Sequence, residues 1–135
     1  MGTGKRYSNP VRTKRIRYTS AQLLSFLSDG PFELLPAPGE GKTYLIHALV
    51  RNYIFGTIPY VNGNLLFYFL GSPTLVNLDF TVASSELNTT NSLTPVSVDD
   101  LNQPFMVIND FGLDPTNGDG SIEILIKYEV ISLQS

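Results

Sequence analysis

The chain predicts an all-β protein, an antiparallel β-sandwich carrying one short N-terminal helix and an extended basic N-terminal arm. Three observations carry that prediction. Apolar and polar residues alternate along several runs between residues 43 and 131. Turn-forming segments separate those runs, among them Asn62-Gly63, Gly71-Ser72-Pro73 and Asn117-Gly118-Asp119-Gly120. Six of the nine Lys plus Arg fall within the first 17 residues, ahead of any Asp or Glu. Short alternating runs punctuated by Gly, Asn and Pro are the pattern of a sandwich.

The elements follow in order. Residues 1–18 read as the arm, with Lys5, Arg6, Arg12, Lys14, Arg15 and Arg17 giving +6. It contains Gly2, Gly4, Ser8 and Pro10 and no periodic apolar pattern, so it cannot fold on its own account. Docking in trans onto an acidic surface is therefore expected, and deletion of residues 1–17 is expected to leave the sandwich folded. Residues 19–135 form the sandwich domain; beyond residue 17, Lys42, Arg51 and Lys127 stand against all twelve acidic residues, a formal −9. Thr19 and Gln22 have capping-box spacing, and Leu23, Leu24, Phe26 and Leu27 follow, so a helix is expected within Thr19–Asp29, ahead of Gly30-Pro31. Phe32 to Leu35 is a short apolar run closed by the Pro36–Gly39 turn. Thr43 to Phe55 is a strand with Tyr44, Ile46, Ala48 and Val50 on one face and Leu45, His47, Leu49 and Arg51 on the other. Leu65 to Leu70, Thr74 to Ala83, Pro104 to Ile108 and Ser121 to Ile131 are further strands. Residues 84–103, rich in Ser, Thr, Asn and Asp, read as a long surface connection.

Composition excludes several function classes. The longest apolar run, Leu65 to Leu70, is far short of the roughly 18 residues a membrane helix needs, so no membrane partner is expected. No apolar stretch of the secretory kind follows the basic start, so no export segment is expected. The absence of cysteine removes disulfides, thiolate metal sites and cysteine nucleophiles. Gly39 to Thr43 resembles the end of a phosphate loop, but Pro36 stands where its first glycine belongs and a strand follows instead of a helix. Asp114 to Gly120 offers oxygen ligands, yet a calcium-loop alignment puts Pro115 first and Ile126 last, where a bidentate Glu is required. His47 is the only histidine and sits mid-strand with no nucleophile elbow nearby. Asp99 and Asp100 are adjacent, and neighbours on an extended chain point to opposite faces. Asn88-Thr89-Thr90 fits a glycosylation sequon and reads as chance loop sequence. No catalytic residue, cofactor or metal site is assigned, and the protein is expected not to be an enzyme.

Tyr53, Phe55, Tyr60, Phe67, Tyr68 and Phe69 lie within 17 residues, a density that either fills both faces of a central strand or buries in part against identical subunits. Trp, on which carbohydrate stacking usually relies, is absent.

The run from Ala21 to Lys42, then Phe55-Gly56-Thr57-Ile58-Pro59-Tyr60, then Asn117 to Gly120 before a closing strand with Lys127-Tyr128, resembles a class of small tailed-bacteriophage virion structural proteins. These are head-decoration, head-fibre and related modules. The likeness covers residues 20–131 and rests on turn and strand-edge signatures. It implies a jelly-roll-like sandwich, a homotrimer and a place in the virion. The partner implied is a major capsid or other virion structural protein, reached through the basic arm. Packaged DNA is the least favoured partner for an exterior protein. The alternative is a tail or baseplate receptor-binding or adhesion module.

Overall fold

In the computed structural model the described residues are 10–71, 76–93, 101–110 and 112–132. They form β1 (Arg12–Tyr18), α1 (Ser20–Leu23), β2 (Phe32–Leu35), β3 (Lys42–Ile54), β4 (Asn64–Phe69), β5 (Val76–Asp79), β6 (Glu86–Leu93), β7 (Phe105–Asn109) and β8 (Ser121–Ser132). The strands make two four-stranded antiparallel sheets, in the orders β1-β8-β3-β6 and β2-β7-β4-β5. The all-β sandwich expected from the sequence is present.

Alternation fills the space between the sheets. Ile122, Ile124 and Ile126 of β8 are fully buried, as are Leu65, Phe67 and Phe69 of β4 and Phe105 and Val107 of β7. Phe105 lies 5.0 Å from Phe69 and 6.5 Å from Phe67, centroid to centroid, spacings typical of favourable aromatic pairs.

The two faces of β3 are not the ones simple alternation gives. Between Ile46 and Ala48 the register against β8 shifts by one residue, a β-bulge at His47. An extra residue turns every later side chain to the opposite face. Leu49, Arg51 and Tyr53 therefore join Tyr44 and Ile46 inside, while Ala48 and Val50 lie half-buried with the outward set.

Both strands that sequence alternation missed are the edges of the first sheet. Arg12–Tyr18, assigned to the arm by its charge, is β1, paired with β8 from Arg12↔Tyr128 to Tyr18↔Ile122. Its inward positions are Lys14, Ile16 and Tyr18, and the Tyr18 ring meets Phe26 edge-on at 4.8 Å. Residues 12–17, expected to be dispensable for folding, are thus part of a sheet, and their removal would strip β8 of a neighbour. Glu86–Leu93, placed in the surface connection, is β6, paired with β3. An edge strand with one side in water needs little apolar content, and charge or polarity there guards against stray pairing.

The helix is shorter than the sequence suggests. The Thr19 side chain accepts from Gln22 N and the Gln22 side chain accepts from Thr19 N, so the capping box forms. One turn follows, Ser20–Leu23, and residues 24–29 continue as turns and a bend. That segment serves to bury Leu23 and Phe26 at the edge of the core.

Candidate interaction surfaces

Antiparallel alternation gathers the connections 19–31, 55–63, 80–85 and the described part of 110–120 at one end of the sandwich. They are joined to one another. Asp114 Oδ1 accepts from Leu27 N and Ser28 N at 2.8 and 2.9 Å. Asp119 Oδ1 accepts from Thr57 N and Ile58 N at 2.8 and 2.9 Å, and its other oxygen accepts from the Thr57 hydroxyl. Phe55 N donates to Ser85 Oγ at 2.9 Å. The two aspartates that looked like calcium ligands act instead as acceptors for loop backbone. Those donors hold both carboxyls below the usual range, the Ser28 amide foremost at Asp114 and the Thr57 hydroxyl foremost at Asp119. No group of three or more His, Asp or Glu arranged for a metal occurs among the described residues.

The glycines of the Asn117–Gly120 run are there for close approach. A Cβ on Gly118 would stand inside the Tyr60 ring, and one on Gly56 would strike the Asp119 carboxylate. Asn117 takes the left-handed conformation, with φ at 73°, that the turn requires. The Phe55–Tyr60 and Asn117–Gly120 segments, far apart in sequence, are thus one packed unit. From this braced end Leu24, Ile58, Val61 and Leu113 project, the last 64% exposed. The connections at this end contain no Lys or Arg.

The basic segment forms the β1 edge of the first sheet and leads directly into the braced end at Thr19. Arg12, Arg15 and Arg17 are exposed on β1, whereas Lys14 reaches across the sandwich and donates to Leu34 O at 2.8 Å, which makes it a fold contact. Arg17 donates to Ser121 Oγ at 3.2 Å, and Arg15 lies 4.0 Å from Glu123, an exposed pair of small energetic weight. Beside the start of β1 a hollow of about 300 Å³ has Arg12 and Lys42 in its lining. Lys5 and Arg6 lie outside the described residues, as do Asp99 and Asp100.

Of the six clustered aromatics, Tyr53, Tyr60, Phe67 and Phe69 are fully or almost fully buried within this chain, so a second subunit cannot reach them. Phe55 is half-buried and packs on the core. Tyr68 alone points outward, half-buried beside Met106, its partner across the β4–β7 ladder. Leu66 and Ile108 continue that outward row. His47, on the outer face of the other sheet, holds Glu129 at 2.7 Å, its one side-chain hydrogen-bond partner among the described residues.

At the far edge, where β6 of one sheet meets β5 of the other, Arg51 reaches out from β3. It is 5% exposed and donates to Thr90 Oγ1 at 2.7 Å and Asn77 O at 3.3 Å. Burial lowers its pKa. Simple alternation groups Arg51 with Leu45 and His47, and the bulge separates it from them. Comparison of the sequence with protein-family models and with curated proteins returned no match.

Proposed function

We propose that the protein is a non-enzymatic virion structural protein of the decoration, cement or head-fibre type, held on a capsid or other virion surface through its basic N-terminal segment. The observation that carries this reading is the pairing of charge with architecture. Exposed Arg12, Arg15 and Arg17 line one sheet edge of an otherwise acidic chain, continuous with Lys5 and Arg6 ahead of it. The sheet orders β1-β8-β3-β6 and β2-β7-β4-β5 support a jelly roll, since each sheet interleaves strands from both ends of the chain, as two nested Greek keys require. The outward apolar row Leu66, Tyr68, Met106 and Ile108 supports a homotrimer, offering a half-buried face that a copy would cover.

Mass spectrometry of purified particles tests the reading: the chain is expected at a fixed copy number, and its absence from them would overturn it. Changing Arg12, Arg15 and Arg17 to Glu is expected to release it while the fold persists. A second reading, a tail or baseplate receptor-binding module, is favoured by the braced loop end with Ile58 and Leu113 projecting, since rigid apolar tips suit recognition. Imaging which end of the molecule faces the particle separates the two.

A further inference from the structure

The cleft between the β5 and β6 edges has a volume of about 450 Å³, within the range of small-molecule sites. Arg51 forms its inner wall, and Asn77, Asp79, Glu86, Asn88 and Thr90 complete the polar lining. Val76 and Leu78 supply a small apolar strip. Arg51 is more than nine-tenths buried, and its Nε–H has no acceptor among the described residues. A buried donor left unpaired is costly, the more so when it belongs to a charged guanidinium. One oxygen of Asp79 accepts from Thr81, and neither Asp79 nor Glu86 forms an ion pair among the described residues.

This mixture selects a ligand class. A simple anion is opposed by Asp79 and Glu86, and a simple cation by Arg51. Adjacent hydroxyls suit all of these groups at once, because each donates to a carboxylate while accepting from an amide or guanidinium. We propose that this cleft binds a neutral polyhydroxyl ligand, a carbohydrate. Glu86 and Asp79 accept from its hydroxyls, Asn88 bridges, and a ligand oxygen at the inner wall faces the Arg51 guanidinium. Val76 takes the C–H face of the ring. With no aromatic platform in the lining, recognition is by hydrogen bonds and affinity falls in the millimolar range. The site is independent of how the protein attaches to a particle.

The test is saturation-transfer NMR on the full chain with glucose, galactose, mannose, N-acetylglucosamine, lactose and maltose, beside inorganic phosphate and magnesium chloride as charged probes. At least one neutral sugar is expected to give a signal and to shift the amides of Asn77, Asp79, Glu86 and Asn88. Glu86→Gln and Asn88→Ala, both at exposed positions on the edge strand, are expected to weaken that binding about tenfold or more, the loss of one hydrogen bond to a charged or polar group, with an unchanged melting temperature. Silence from every sugar overturns the proposal. So does binding that both variants leave intact, or a cleft that responds to phosphate or magnesium alone.

Discussion

The Tyr60 hydroxyl donates to Gly120 O at 2.6 Å while its ring lies flat over Gly118, so one side chain clamps the start of β8 to the loop after β3. Tyr60→Phe is expected to cost about 1–3 kcal/mol, the penalty of a buried carbonyl left without its donor. Gly118→Ala is expected to cost at least as much, because the new methyl has no room beneath the ring. Tyr53 makes the contrast: its hydroxyl is buried with no partner among the described residues, so Tyr53→Phe is expected to be neutral or stabilising. Urea denaturation of the three variants checks the ordering.

Acid should loosen the braced end first. Asp114 and Asp119 titrate below the ordinary aspartate range when folded, because backbone and hydroxyl donors favour their ionised forms. A depressed folded pKa adds stability above the unfolded value of about 3.9 and loses it as pH falls through the folded values. Denaturation midpoints are expected to fall across that acid window, and Asp114→Asn with Asp119→Asn is expected to flatten the dependence.

Alkali acts on a different set. Burial pushes Tyr18 up to about 12, and burial, with Tyr128 and Glu33 nearby, pushes Tyr44 up to about 12 as well, Arg12 pulling the other way. The neutral forms are favoured in the fold, so stability is whole below about pH 10 and declines as pH rises toward 12. Spectrophotometric titration of tyrosinate is expected to show these rings ionising late, and together with unfolding.

Arg51→Met keeps the aliphatic stem and removes the guanidinium. It is expected to destabilise by about 1–3 kcal/mol through the loss of the Thr90 and Asn77 contacts, read from thermal melts. Lys14→Met, which loses the matching contact to Leu34 O on the opposite side of the sandwich, is expected to cost less, since Lys14 is only half-buried.

Truncation separates the two parts of the basic segment. Removal of residues 1–10 is expected to leave the melting transition in place, whereas removal of residues 1–18 is expected to abolish it, because β1 and the Tyr18 ring go with it. Circular dichroism of both truncated chains decides this.

The strands with strong alternation were legible in the sequence: β8, with its three buried isoleucines, and β4 and β7, whose burial alternates residue by residue. The capping box at Thr19 and Gln22 was legible too, because it is a local interaction. Two kinds of feature were not. β1 and β6 carry Arg, Lys, Asn and Thr, since an edge strand has water on one side and hides little. The bulge at His47 leaves no local mark; only pairing with β8 shows that Arg51 faces inward, and so the cleft was invisible from the chain. Likewise Asp114 and Asp119 advertise oxygen atoms, while their backbone partners lie on distant loops.

The way β1 joins the sheet has a mechanical consequence. A pull on the chain ahead of Arg12, directed along β1, would load the ladder from Arg12↔Tyr128 to Tyr18↔Ile122 in shear, so that its bonds to β8 bear the force together. Lys14, hooked onto Leu34 O, adds a crosswise stay near the point where the pull arrives. Under such a load the strand would slide out only when the pairs from Arg12 to Tyr18 part together.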